Sequence, residues 1–475
     1  MSGARPFVSL WDSAILDKEP VPADSHLRRL AHTSMARRGE TAYLGAGRGS
    51  ASAMRNIAKL LKVFLTLLVT VSLVTCISNN TPSCVLLGSN GTVRSIFRAA
   101  ATSGCPTSGG GGGSSCSSTL TPTEVLFSQS STGAITTLAI NTGGNALALM
   151  CTTATAVLGQ IVVANANGSP NYLYAMKLTA GSDSTTGTAT INGFAIGHVA
   201  PVTLTPLSPT SFTISGTNFF SGTSVLQADP LGNFLTLTDE GASLVHVLLI
   251  SSNGTLSEAP GSPFPAANAL FTAVGPGEGF LYVSDNSDGE IFIFQIDLSS
   301  LTDVLTPIVN SPFQVPAPNS SNAPITMLLS PLQNFLYTAN NQSISFYTIN
   351  GDGSLSLAAG SPVTPAPLFN PQFLAMDSTG TYLYVTGTST EGVLGYTMNQ
   401  STGGLTLIPG SPFASGTTSN ISAVEADPSL AVLYLVINGV INPYTIGTAT
   451  GGVLTAPTVT PTFTASTNIA IASVQ

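Results

Sequence analysis

Charge is what this sequence has least of. Only 7% of its 475 residues are charged, against about 25% in an average soluble domain. Basic residues almost vanish after Arg98: of 13 Lys and Arg, Lys177 alone lies beyond it. From Glu124 onward that lysine faces seventeen carboxylates, a balance of −16. A body of that sign repels phosphate backbones and anionic lipid, so nucleic acid is excluded as its partner. The five cysteines include no Cys-x-x-Cys pair and no Cys/His spacing of the zinc type. The strongest apolar run, Val63 to Val74, spans 12 residues, short of the roughly 20 a transmembrane helix needs. Past residue 120 no segment sustains a 3.6-residue apolar period, which argues against a helical solenoid. Nor does scarce charge mean disorder, because 43% of residues are hydrophobic.

The apolar run has a context of its own. Arg55, Lys59 and Lys62 precede it, the pattern of a positive and then a hydrophobic region in an export signal. It ends in Leu73-Val74-Thr75-Cys76, similar to a bacterial lipobox, although Thr75 stands where that pattern prefers Gly, Ala or Ser. The expectation is a signal peptide over 54–76, lipidation at Cys76, and a membrane-anchored lipoprotein facing the periplasm or the cell exterior. Met54 sits where a start would be expected, so residues 1–53 read as a misassigned or disordered extension. The rival reading is a cytoplasmic tail ahead of a short anchor, with its Arg-rich side inward. Residues 77–120, with the run Ser108 to Ser115, read as a Gly/Ser-rich flexible linker. With Cys76 set aside, Cys84, Cys105, Cys116 and Cys151 allow three pairings that spacing does not separate. Three of them lie in or beside the linker, so a bridge there is expected to add little to the core.

What is abundant, from 121 to 475, is repetition. Ser262-Pro263-Phe264, Ser311-Pro312-Phe313, Ser361-Pro362-Val363 and Ser411-Pro412-Phe413 recur at intervals of 49, 50 and 50. In phase with them run Phe234-Leu235-Thr236-Leu237, Phe280-Leu281-Tyr282-Val283, Phe335-Leu336-Tyr337-Thr338, Tyr382-Leu383-Tyr384-Val385 and Val432-Leu433-Tyr434-Leu435. A third apolar run follows each, then a Gly-rich turn such as Asn350-Gly351-Asp352-Gly353. Several short strands in a fixed period of 40–50 residues indicate a β-propeller. Five units are clear from about 219 onward. Two weaker ones precede them, around Glu124–Phe127 with Ile135–Leu138, and around Tyr172–Tyr174 closing at Ser208–Phe212. The predicted fold is all-β, a seven-bladed β-propeller of four-stranded antiparallel blades, with the tail Asn468–Ala472 pairing onto the first blade to latch the ring. Pro in the Ser-Pro element is expected at the edge of the fourth strand.

The stretch Asp377-Ser378-Thr379-Gly380-Thr381-Tyr382-Leu383-Tyr384-Val385, with Gly395-Tyr396-Thr397-Met398 and Gly410-Ser411-Pro412-Phe413, resembles the lactonase-like seven-bladed propellers, which include YVTN-repeat surface proteins and the phosphogluconolactonase-like family. That resemblance implies hydrolysis of a sugar lactone. The residues speak against a phosphorylated substrate, since a phosphate wants Arg or Lys and the propeller holds only Lys177.

Asn268, Asn322, Asn370 and Asn420 recur at 54, 48 and 50 residues. Each lies where the chain should enter the strand lining the central channel. They are the candidate ligand-binding residues, an arc of carboxamides for a neutral polar ligand; the alternative is an Asx turn starting each inner strand. Asp285, Asp288 and Glu290 form the densest acidic cluster and are the weak candidates for calcium, though without EF-hand spacing; the alternative is a solvated hairpin. No other cofactor is expected. The function expected first is a surface-tethered, monomeric scaffold binding a neutral polar ligand or a protein partner. The second is a lactonase acting on an uncharged sugar lactone.

Overall fold

A computed structural model describes residues 83–87, 93–97, 115–116 and 120–474, the last without 131–132, 142–145, 154–158, 166–170, 181–186, 218–223, 286, 316–323, 341, 366–368, 388–390, 415–419, 459–462 and 464–468. The export signal, Cys76 and residues 1–53 lie outside the described residues.

Seven antiparallel sheets follow one another along the chain, with the four strands of each numbered outward from the axis. Blade 6 is typical. It runs from Pro371–Met376 through Tyr382–Gly387 and Val393–Met398 to Leu405–Leu407. The inner strands of blades 2 to 7 are Gln160–Asn165, Leu226–Ala228, Ala269–Val274, Pro324–Leu329, Pro371–Met376 and Ile421–Ala426. Blade 1 takes its inner strand from the C-terminal Ile469–Ser473, paired with Glu124–Gln129. The expected latch is therefore the closure, and the seven-bladed, four-stranded architecture is the one read from the repeat.

The core explains why the sheets close. Every large hydrophobic cluster straddles two neighbouring blades, one cluster for each of the seven contacts around the ring. The second strand divides its side chains between both neighbours by its period of two. In blade 6, Leu383 and Val385 pack toward blade 5 while Tyr382 and Tyr384 pack toward blade 7. A single blade would leave both faces wet; an open row would leave two.

The repeated tyrosine and glycine form one joint. The hydroxyls of Tyr174, Tyr282, Tyr337 and Tyr384 donate to the carbonyls of Gly254, Gly353, Gly403 and Gly452, each in the hairpin of the following blade, at 2.7, 2.9, 2.7 and 2.7 Å. Those glycines sit at φ of +80, +81, +73 and +89°. A side chain there would strike the first aromatic of the preceding blade's run: Tyr172, Phe280, Phe335 or Tyr382.

The Ser-Pro element does something other than end an edge strand. The outer strand stops first, at Glu258, Pro307, Leu357 and Leu407. The third strand is then left with an unpaired N–H in each blade. Ser262, Ser311, Ser361 and Ser411 accept it through Oγ, from Val247, Ile293, Phe346 and Gly395, at 3.0, 2.9, 2.8 and 3.0 Å. The chain then rejoins the third strand beyond the proline.

Of the three cysteine pairings left open, the structure contains Cys116–Cys151. Ser115–Cys116 pairs outside Leu147–Thr153 as a fifth strand of blade 1. Cys151 is buried in the cluster between blades 1 and 2, so the bridge ties the preceding chain to the core, contrary to the expectation that it would matter little. Upstream, Ser83–Leu87 and Val93–Phe97 pair with each other.

Candidate functional site in the channel

An inner strand is a sheet edge, and its outward N–H and C=O groups need partners. Glutamines from the preceding blade supply several. Gln129 Oε1 accepts the N–H of Gly159 at 2.9 Å, Gln160 that of Leu226 at 2.7 Å, and Gln227 that of Thr272 at 2.7 Å. Thr326 Oγ1 donates to the Gln372 carbonyl at 2.8 Å. These bonds link successive blades around the axis.

Where the inner strands of blades 3, 4 and 5 run into their turns, a cavity of about 280 Å³ opens. Gln227, Ala228 and Pro230 line it from blade 3, Thr272 to Val274 from blade 4, and Met327 to Gln333, apart from Leu332, from blade 5. None of its lining residues is charged. Beside it, Asp229 is buried, with Oδ1 on the Phe234 N–H at 2.7 Å and Oδ2 on the Leu231 N–H at 2.9 Å. Glu278 of blade 4 accepts from the same Leu231 N–H at 3.3 Å and from Asn233 Nδ2 at 2.9 Å. Two carboxyls thus converge on one donor. Burial, and a hydrogen bond that the protonated Asp229 carboxyl donates to the Glu278 carboxylate, push the Asp229 pKa up to about 8.

A second carboxyl lies on the inner strand of blade 7. Glu425 is half-buried, and burial with the neighbouring Asp427 charge raises its pKa to about 7. Asp427 caps its turn through the N–H groups of Ser429 and Leu430, at 2.9 and 2.8 Å. Ser429 Oγ donates to Glu124 Oε2 of blade 1 at 2.6 Å.

Of the asparagines expected at the channel mouth, Asn268, Asn370 and Asn420 lie at the starts of inner strands, each tied to its own blade's hairpin between second and third strands. Asn268 Nδ2 donates to Ser287 Oγ at 2.7 Å and to Asp285 Oδ1 at 3.4 Å. Asn370 donates through its backbone N–H and Nδ2 to Glu391, at 2.8 and 3.2 Å. The Asn420 N–H donates to Asn438 Oδ1 at 3.0 Å. Asn322 lies outside the described residues. Asp285 is fully buried and caps its hairpin through the N–H groups of Ser287 and Asp288, at 2.7 and 2.9 Å. Glu290 has its pKa raised by burial and by the charges of Asp285 and Asp288. Among the described residues no group of three or more His, Cys, Asp or Glu is placed to hold a metal ion.

Sequence reasoning passed over Gln227, Gln333, Glu278 and Glu425. None recurs at the repeat interval, so the period that exposed the asparagines hid them.

The ring of seven four-stranded antiparallel sheets defines the class: a seven-bladed β-propeller. Residues 220–421 match the family described as "Lactonase, 7-bladed beta-propeller". Among solved structures, a putative 6-phosphogluconolactonase from Bacteroides fragilis is 16% identical, covering 74% of this chain and 99% of its own, with a TM-score of 0.56. The periplasmic gluconolactonase of Pseudomonas aeruginosa is 13% identical over the same shares, with a TM-score of 0.55. No curated protein matches the chain. The chain resembles the lactonase-like seven-bladed propellers in repeat and in fold.

Proposed function

We propose that this protein is an exported, N-terminally tethered propeller whose channel binds an uncharged polar ligand. The observation that carries the reading is the cavity across blades 3 to 5, walled by apolar side chains and carboxamides with no ionisable group among them. A charged ligand would shed its hydration there without a counter-ion, at a cost of several kcal/mol. The one lysine of the propeller, Lys177, is exposed on the second strand of blade 2. Titrating methyl α-D-glucopyranoside against glucose 6-phosphate by calorimetry tests this. The neutral sugar should bind at least about tenfold more tightly, a difference of about 1.4 kcal/mol. Equal or tighter binding of the phosphate would refute it.

A second reading, hydrolysis of an uncharged lactone, is favoured by Glu425 and by the family-level likeness. A carboxyl with a pKa near 7 suits a general base at neutral pH. It would take a proton from water as the water oxygen attacks the lactone carbonyl, then return it to the ring oxygen as the C–O bond breaks. Neutral lactones and 6-phosphogluconolactone, each assayed with and without calcium, decide it. The reading expects turnover of the neutral set alone, falling at least about 100-fold in Glu425→Gln.

A further inference from the structure

The cavity lining has an asymmetry in its polar atoms. Gln227 Oε1 accepts two bonds from Thr272, from the backbone N–H and from Oγ1, both at 2.7 Å. Gln333 Oε1 accepts the Gly277 N–H of blade 4 at 3.3 Å. In each case a donor on the neighbouring blade holds the oxygen, so the planar amide has its nitrogen turned the other way. Neither Nε2 donates to any described residue. The remaining polar side chains of the lining are spent. Thr272 Oγ1 also meets Thr236 Oγ1 at 2.6 Å, and Ser330 Oγ lies 2.9 Å from Asn334 Oδ1 and accepts the Phe335 N–H at 3.2 Å. Two lining residues, Gln227 and Gln333, thus keep an N–H₂ group that no described residue uses, among apolar lining residues that include Ala228, Val274, Met327 and Pro331.

We propose that Gln227 and Gln333 are the recognition residues of this cavity, and that its ligand is an uncharged, monosaccharide-sized ring that presents oxygen acceptors to them and an apolar face to the opposite wall. The inference rests on the neutral-ligand reading above and moves the site from the expected asparagine arc to the other end of the inner strands. Inter-blade bonds orient both amides before any ligand arrives, so little side-chain entropy is lost on binding. A ligand offering donors instead would meet N–H against N–H and leave both sides unpaired.

Gln→Glu is the incisive substitution. It keeps the oxygen that holds Thr272 or Gly277 and exchanges the N–H₂ donor for an acceptor of the same shape. Binding of methyl α-D-glucopyranoside and of cationic glucosamine would be titrated against wild type, Gln227→Glu, Gln333→Glu and the control Gln372→Glu, which lies on the inner strand of blade 6 outside the cavity lining. We expect each cavity variant to lose at least about tenfold in affinity for the neutral glucoside and to gain affinity for glucosamine, with the control unchanged. Gln333, at a half-exposed turn, keeps the test open even where Gln227→Glu unfolds. Undiminished glucoside binding in the folded variants overturns the assignment alone. Absence of glucoside binding by the wild type overturns the neutral-ligand reading and this inference with it.

Discussion

Replacing Gly403 by alanine tests the joint between blades most sharply. Gly403 sits at φ +73°, and an added Cβ would lie 2.7 Å from Phe335 Cδ1 and 3.0 Å from Cε1. The left-handed backbone costs a non-glycine residue about 1–2 kcal/mol. Forcing a methyl group against a buried ring adds about 1–3 kcal/mol, since Phe335 is only 4% exposed and has nowhere to retreat. The expected loss is therefore about 2–5 kcal/mol, read as a shift of the urea midpoint at constant slope. Two controls separate the contributions. Gly360 has φ +87° with nothing within 4 Å of its added Cβ, so Gly360→Ala should show the backbone cost alone. Gly351 has open space and no positive φ, so Gly351→Ala should be within about 0.5 kcal/mol of wild type. In a Phe335→Ala background the cost of Gly403→Ala should fall to that of Gly360→Ala, a coupling of at least about 1 kcal/mol. If Gly403→Ala is no worse than Gly360→Ala in the wild-type background, the aromatic–glycine contact is not what joins the blades, and this account of the repeat is wrong.

Other outcomes follow from the structure and, for Cys76, from the sequence alone. Ser411→Ala strands the Gly395 N–H beneath the outer strand and should cost about 1–3 kcal/mol by urea unfolding, with Ser361→Ala matching it at Phe346. The Asp229 proton makes stability fall with rising pH. Its folded pKa of about 8 exceeds the ordinary carboxylate value of 3.8, so the folded state holds a proton that the unfolded chain has already released. The contribution is complete below about pH 4 and lost as pH rises through 8. Asp229→Asn should flatten urea midpoints measured from pH 5 to 9, and an unchanged slope would reassign the titration. Cys76→Ser should release the protein from the membrane fraction and abolish labelling with a fatty-acid analogue; retention on membranes would favour the short apolar anchor instead.

How much was legible beforehand depended on periodicity. Ser262 to Ser411 recur because each of blades 3 to 6 leaves the same N–H uncovered on its third strand. Tyr282, Tyr337 and Tyr384 recur because blades 4, 5 and 6 grip the next blade in the same way. Such residues answer a need repeated around the ring, so one chain displays them several times. The cavity answers no repeated need. Gln227 and Gln333 come from different positions in their blades, one on an inner strand and one in a turn, and only the curvature of the ring sets them around the same space. The asparagines show the converse: their regular spacing was real, and the structure accounts for Asn268 and Asn370 through bonds to their own hairpins.

Blade number, strand order, closure by the C-terminal strand and the scarcity of cations were all determined by the sequence, because alternation and repeat length are local and a sheet apolar on both faces has to be covered. Which cysteines bridge, which carboxyls share a donor, and which glutamines line one cavity were decided by the tertiary structure alone. The bridge joins two strands of blade 1 that lie 35 residues apart in the chain; the carboxyl and amide relations join residues from separate blades, whose distance is set not by their separation along the chain but by the radius at which seven sheets close.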